Sequence, residues 1–214
     1  MLDWTMILMI APPILMALII HEFSHAYVAN KLGDPTAKDA GRLTLNPLAH
    51  LDLMGTIMAF IIHIGWAKPV PVNPSNFKNP RKDMLWVSLA GPTSNVLLAL
   101  IFGIVYRIFQ SSIHTLNSNI LELIHSMLGF AVLINLILAF FNIIPLPPLD
   151  GSNILLGLVP RKYDRQMAVF QRYGQLVLFA LVIINLIFDI PLFYYLYMPF
   201  VRALSYLFAG EIFI

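Results

Sequence analysis

The sequence predicts an all-α polytopic membrane protein that forms a single domain. Of its 214 residues 59% are hydrophobic and only 11% are charged, with a mean hydropathy of +0.79. Soluble domains have about 45–50% apolar and about 25% charged residues. Several apolar runs also approach the roughly 20 residues that a helix needs to cross a bilayer. We therefore expect one membrane-embedded domain over residues 1–214, with about five transmembrane helices, a re-entrant or short sixth segment and small membrane-associated β-strands.

Charge and cysteine content narrow the possible chemistry. The formal net charge is +2, which is too small to indicate a nucleic-acid partner. The chain has no cysteine, which excludes disulfides, thiol nucleophiles and thiolate metal ligands. Any metal must therefore be held by histidine and carboxylate side chains.

The first predicted span covers residues 4–30 and contains Pro12 and Pro13, where we expect a kink or a break. The residues before this run include Asp3 and no lysine or arginine. A secretory signal peptide would begin with a basic region, so we expect a retained membrane helix.

The next apolar segment, residues 48–66, is short for a span and contains His50, Asp52 and His63. Basic segments flank it on both sides. A re-entrant or interfacial segment fits these flanks better than a full span. Short strands are expected at 41–45 and 68–73, where the sequence alternates or carries proline.

The second half of the chain contains the remaining predicted helices. Residues 84–109 and 120–145 are long apolar spans, and 175–188 with 191–208 resemble a final helical hairpin. We expect residues 160–172 to form a basic loop.

The loops predict the orientation of the chain in the membrane. The basic loops at 31–47, 67–83 and 160–172 should be cytoplasmic, and the loop at 110–119, which has no lysine or arginine, should be external. The first span and the span at 120–145 would then both run inward and end at a similar depth. This predicts a multi-pass protein of the cell membrane whose chemistry lies toward the cytoplasmic side.

The motif that carries chemistry is HEFSH at residues 21–25, near the end of the first apolar run. In a helix, His21 and His25 are four residues apart and share one face, so both can bind one metal ion. Glu22 is close enough to reach a water on that metal. This is the HExxH pattern of zinc hydrolases, in which the glutamate is the general base.

A hydrolytic zinc site needs a third protein ligand and an open position for water. Asp150 is the best candidate because it follows a proline-broken helix end at the same predicted depth as His21 and His25. An unpaired carboxylate inside a membrane would be costly, and metal coordination would offset that cost. Glu122 and Asp189 lie toward the external side. The candidates considered are His50, Asp52, Glu122, Asp150 and Asp189.

Two further stretches carry a family resemblance. Residues 142–151 read NIIPLPPLDG and match the motif NxxPxxxLDG, and residues 91–95 read GPTSN, similar to a Gly-Pro-x-x-Asn element. Together with HExxH, these motifs resemble the site-2 protease family of intramembrane zinc metalloproteases. No PDZ or CBS module is recognisable, so we expect a compact member.

The resemblance implies that His21, His25 and Asp150 hold Zn²⁺ and that Glu22 activates a water molecule. Asn142 would orient the substrate or stabilise the tetrahedral intermediate. The implied activity is hydrolysis of peptide bonds within or near transmembrane segments of membrane proteins, as in regulated intramembrane proteolysis. The implied partners are a transmembrane protein or peptide substrate and the lipid bilayer.

The same residues also have simpler structural explanations. Asn142 could bridge helices by hydrogen bonding. For the stretch with Asn95, Gly91 and Ser94 could simply allow close helix packing. His50 and Asp52 could cap a re-entrant segment or support the metal ligands. The alternative functions are a membrane metal transporter and a catalytically inactive membrane scaffold.

Overall fold

The computed structural model describes residues 4–55, 57, 68–116, 119–188 and 192–213, and these residues form a helical protein. Within the described residues the α-helices are α1 (Trp4–Lys31), α2 (Thr36–Asp39), α3 (Pro47–His50), α4 (Pro80–Leu116), α5 (Asn119–Ile143), α6 (Asp150–Leu158), α7 (Asp164–Phe188) and α8 (Leu192–Ala209). Two 3₁₀ turns, Pro74–Asn76 and Arg161–Tyr163, precede α4 and α7.

Four of these helices are long and apolar enough to cross a membrane within the described residues. They cover Met9–Lys31, Pro80–Gln110, Asn119–Ile143 and Arg161–Asn185. The polytopic helical class is therefore confirmed, with four such helices where the sequence predicts about five. The last span that the sequence predicts corresponds to α8, which is not among these four helices. It has 18 residues and includes Pro199.

The sequence predicts a kink or a break at Pro12 and Pro13, and a basic loop at 160–172. α1 continues through both prolines without a break. Neighbouring helices in a membrane protein can satisfy the backbone groups that a proline frees. The predicted basic loop at 160–172 is also mostly helix, since α7 begins at Asp164. No helix-breaking residue stands between Asp164 and Gly174, and the basic side chains lie on an exposed surface of α7.

The core that positions the site is formed by α1, α4, α5 and α6, which pack against one another. Small side chains allow α1 to approach its neighbours closely: Ala17, Ala26 and Ala29 are all fully buried. A second apolar cluster joins α4, α5 and α8 around Val132 and Leu136. The site therefore lies on a tightly packed group of helices.

None of the described residues forms a regular strand, so the predicted strands at 41–45 and 68–73 are not observed. Residues 68–73 instead form an irregular segment. Prolines at 69 and 71 remove backbone donors. The N–H of Lys68 donates to the carbonyl of His50, and the N–H groups of Val70 and Asn73 donate to the side chains of Glu22 and Asp34. Most of the predicted re-entrant segment at 48–66, including His63, lies outside the described residues.

Candidate metal centre and active-site cavity

The first two candidate ligands lie on one buried face of α1. His21 and His25 are 6% and 8% exposed, and their Nε2 atoms are 3.0 Å apart. The four-residue spacing produces this contact, as the sequence predicts. Glu22 lies beside them, partly exposed.

Asp150 reaches the same point from the other half of the chain. Residues 144–149 are not helical, and Asp150 is the first residue of α6. Its Oδ2 lies 3.2 Å from the Nε2 atom of each histidine. The next residue must be glycine, because a Cβ at Gly151 would overlap the carbonyl oxygens of Ile143 and Ile144. The predicted meeting of residues 21–25 with Asp150 is therefore present in the fold.

Hydrogen bonds on the far side of each imidazole decide which nitrogen carries the proton. His25 Nδ1 lies 2.7 Å from the carbonyl oxygen of Val87, and His21 Nδ1 lies 2.6 Å from Oδ1 of Asn95. Both of these partners only accept hydrogen bonds, so each Nδ1 must donate. In the neutral imidazoles each Nε2 then has a lone pair directed toward Asp150.

Three electron-rich atoms thus face one another, and this arrangement fits a bound cation. No hydrogen-bond donor among the described residues reaches the buried Oδ2 of Asp150. The separations of 3.0–3.2 Å are close to the roughly 3.3 Å expected between ligands of a tetrahedral zinc ion with bonds of about 2.0–2.1 Å. His21, His25 and Asp150 could hold a metal ion, with one position left for another ligand.

Gly91 on α4 allows the helix to pass directly over the two imidazoles. A Cβ at this position would lie 2.5 Å from both His21 Cε1 and His25 Nε2. The GPTSN stretch therefore serves close packing at Gly91. Its asparagine has a different role, since Asn95 contacts His21 as described above.

A cavity of about 250 Å³ opens beside the three candidate ligands. The backbone N–H of Val70 donates a hydrogen bond of 3.1 Å to Oε2 of Glu22 at the edge of this cavity. Residues 68–73, which we call the strap, form one wall. Side chains outside the strap that line the cavity include Ser88, Asn142 and Asn153.

Two buried charged residues hold the strap in place. The guanidinium of Arg42 donates to the carbonyl oxygens of Lys68 and Pro69. At the other end, Asp34 accepts hydrogen bonds from the N–H of Asn73 and the side chain of Asn76, each 2.7 Å long. Burial alone would raise the pKa of Asp34, but hydrogen bonds from Thr36, Asn76 and Asn73 outweigh burial and hold this pKa below its ordinary value.

The remaining sequence candidates lie in different settings. Asn142 lines the cavity, and its Nδ2 donates to the carbonyl of Leu138 in its own helix. His50 is buried with Nε2 2.7 Å from the carbonyl of Thr44, and Asp52 accepts from the N–H of Gly55. Both therefore organise the local backbone. Glu122 is in the first turn of α5, and Asp189 lies outside the described residues.

Sequence reasoning assigned no role to Asn135 or to the carbonyl of Val87, and it did not identify the N–H of Val70 as the partner of Glu22. A polar residue within an apolar helix can be recognised in the sequence, so Asn135 could have been identified as a candidate functional residue. The two backbone groups carry no such signal.

Comparisons of the sequence with known proteins all point to one family of peptidases. The model of Peptidase family M50 matches residues 9–188. A Bacillus subtilis protein named "Putative zinc metalloprotease YwhC" is 39% identical over 190 residues, which is 89% of this chain and 84% of the relative. A Mycolicibacterium smegmatis protein named "Putative zinc metalloprotease Rip2" is 30% identical over 174 residues, covering 79% of this chain and 64% of the relative.

A third relative, the "Zinc metalloprotease MJ0392" of Methanocaldococcus jannaschii, is 25% identical over 178 residues, covering 80% of this chain and 42% of the relative. No solved structure matches the chain. The family match covers most of the sequence, including the HExxH and LDG motifs that meet in the cavity. The chain belongs to peptidase family M50, the site-2 proteases.

Proposed function

We propose that the protein is an intramembrane zinc metalloprotease that hydrolyses peptide bonds within or near transmembrane segments of membrane proteins. The observation that carries this proposal is the convergence of His21, His25 and Asp150 beside a cavity that Glu22 also lines. In this proposal the three residues bind Zn²⁺. When bound, zinc lowers the pKa of water toward about 7 and polarises the scissile carbonyl.

The general base in this proposal is Glu22. Its carboxylate accepts the proton of the attacking water and delivers it to the nitrogen of the leaving amine. The hydrogen bond from Val70 N–H to Oε2 holds the carboxylate at the edge of the cavity and leaves Oε1 available for the proton.

Asn142 is the proposed partner of the scissile carbonyl oxygen. One hydrogen of its Nδ2 is used by the carbonyl of Leu138, and the second is available to a substrate in the cavity. A donor aimed at the developing oxyanion stabilises the transition state more than the bound substrate. The contact with Leu138 fixes the amide and so reduces the reorganisation needed during reaction.

This function is tested by co-expressing the protein with candidate single-span membrane proteins. Glu22→Gln keeps the size of the side chain but removes the base, so cleavage should fall by about 10²–10⁴-fold while zinc remains bound. Uncleaved substrate should then co-purify with this variant. In the same assay, Asn142→Ala should slow cleavage by about 10²–10³-fold without loss of zinc.

Cleavage that persists at the wild-type rate in Glu22→Gln would remove Glu22 as the base. A transporter would instead lose metal transport on loss of the ligands and would show no substrate cleavage. The scaffold alternative requires that no candidate substrate is cleaved by the wild type.

We also propose that the cavity lies toward the cytoplasmic side of the membrane. The basic residues of the 3₁₀ turn before α7 and of the start of α4 support this orientation through the positive-inside rule. Because the chain has no cysteine, a single Lys162→Cys variant provides a clean label site on an exposed residue. A membrane-impermeant thiol reagent should label this cysteine only after the cells are permeabilised. Labelling in intact cells would contradict the proposed orientation.

A further inference from the structure

Two fully buried asparagines lie behind His21, one on α4 and one on α5. Asn95 and Asn135 are both 0% exposed. An amide inside an apolar helix bundle is costly unless its polar atoms find partners. The hydrogen bonds of these two side chains therefore show which orientation each amide adopts.

The contacts allow only one orientation of the Asn95 amide. Its Nδ2 donates to the carbonyl of Ala17 at 3.2 Å and to Oδ1 of Asn135 at 2.9 Å. Asn135 is fixed in turn, because its Nδ2 donates to the carbonyl of Ala131 at 2.8 Å. If the Asn95 amide were reversed, its oxygen would face two other acceptors. Oδ1 of Asn95 must therefore face His21.

This orientation determines the state of His21. Nδ1 lies 2.6 Å from an atom that can only accept, so Nδ1 carries a proton, and in the neutral imidazole the lone pair is then on Nε2. The same contacts join α1, α4 and α5 through one set of side chains. Asn95 and Asn135 thus set the rotation and the tautomer of the His21 imidazole, although neither is one of the candidate metal ligands.

We propose that Asn95 and Asn135 are positioning residues, forming a relay from the carbonyl of Ala131 through Asn135 and Asn95 to His21 that prepares Nε2 of His21 as a metal ligand. The inference rests on the proposed role of His21 in zinc binding. It assigns a separate function to each asparagine: Asn95 orients His21, and Asn135 orients Asn95.

The two histidines differ in how they are oriented, and this difference makes the relay testable. His25 is held by the backbone carbonyl of Val87, which no substitution removes. His21 depends on a side chain. Replacing Asn95 should therefore release one ligand and leave the other in place.

The experiment measures zinc affinity of the full chain in detergent micelles by competition with a chromophoric chelator. Asn95→Leu removes the acceptor with little change in volume, and zinc should bind about 10–100-fold more weakly. Asn135→Leu leaves the contact to His21 intact and should weaken zinc binding in the same direction but by less. The absorption spectrum of the cobalt(II) form should change in Asn95→Leu, because one ligand is no longer held.

Asn95→Asp separates orientation from packing. A carboxylate still accepts from Nδ1 of His21 but cannot donate to Ala17 or Asn135. We expect zinc to bind more tightly to Asn95→Asp than to Asn95→Leu, at about the level of Asn135→Leu, together with a lower thermal midpoint. Ser205→Ala, which removes a buried hydroxyl on α8, controls for the loss of a buried polar group and should leave zinc affinity unchanged.

The outcomes distinguish this inference from the proposed function. If His21→Ala abolishes zinc binding but Asn95→Leu does not weaken it, the relay is wrong and the ligand set stands. If Asn95→Asp loses zinc as severely as Asn95→Leu, the asparagine acts through packing and the relay is again wrong. If His21→Ala itself binds zinc normally, the proposed metal site fails as well. Should Asn95→Leu not fold, the decrease expected for Asn135→Leu decides the question.

Discussion

The cavity has two walls that are built by different means. The metal corner, formed by His21, His25 and Asp150, stands on packed helices whose side chains touch at 3.0–3.2 Å. The strap at residues 68–73 has no regular secondary structure and is held by hydrogen bonds to Arg42 and Asp34. Helix packing thus brings together the groups that would bind metal, whereas hydrogen bonds from two loop residues position the wall that contacts Glu22.

The comparison leads us to expect that the two walls can be disturbed separately. A change in helix packing should affect metal binding first. A change in the strap should affect stability and the Glu22 side of the cavity while zinc stays bound. The predictions below test this separation, beginning with the larger effect.

Gly91→Ala should disrupt the metal corner. The added methyl group would lie 2.5 Å from both imidazoles, so the histidines or α4 must shift. We expect zinc affinity to fall by at least about tenfold, in the range found when the groups that orient metal ligands are changed, with a corresponding loss of cleavage. Zinc content after dialysis against a weak chelator measures this effect.

Gly103→Ala is the matched control for Gly91→Ala. Gly103 is on the same helix, more than three turns from Gly91, and a methyl group there would approach Phe208 on α8 at 2.8 Å and not the histidines. It should lower the thermal midpoint without loss of zinc. Equal zinc loss in the two variants would show that general destabilisation, and not contact with the imidazoles, explains the result.

Asp34→Asn should loosen the strap and leave the metal corner intact. An asparagine cannot accept all the hydrogen bonds that the carboxylate receives from Thr36, Asn73 and Asn76, and its own NH₂ group would face donors. We expect a loss of about 1–3 kcal/mol in the free energy of unfolding at neutral pH. Zinc affinity should be unchanged.

The same substitution makes a prediction about pH. The pKa of Asp34 is lowered in the folded protein, so its stabilisation is fully present above the unfolded pKa of about 3.9 and is lost as pH falls through the folded value. The stability difference between wild type and Asp34→Asn should therefore shrink below about pH 4. Asp39→Asn, an exposed neighbour, is the control and should show no such difference. A difference that is constant from pH 7 to pH 3 would contradict this account.

The two walls also differ in how far the sequence could predict them. The HExxH spacing and the LDG motif predicted that His21, His25 and Asp150 would meet as candidate ligands, because helix periodicity and a proline-broken turn are local properties. The orientation of the imidazoles was not predictable, since it depends on Asn95 and on the carbonyl of Val87, which are more than 60 residues away. The strap was expected to be a strand, because its alternating pattern does not reveal that Arg42 and Asp34 take the place of a neighbouring strand.

The extents of the helices also could not be fully predicted from local sequence. Pro12 and Pro13 predict an interruption when considered alone, yet α1 continues through them within the helix bundle. The basic residues after Pro160 suggest a loop, but they lie exposed on the 3₁₀ turn before α7 and on α7 itself. In both cases packing and exposure, which are properties of the fold, decide the outcome.

The most direct test of the central claim is the zinc content of the purified full chain, measured by elemental analysis. We expect about one zinc ion per chain in the wild type, in Glu22→Gln and in the Asp39→Asn control. We expect almost none in His21→Ala, His25→Ala and Asp150→Ala, because each removes one of three ligands. Stoichiometric zinc in Asp150→Ala, or its loss in Glu22→Gln, would contradict the assignment of ligands and base.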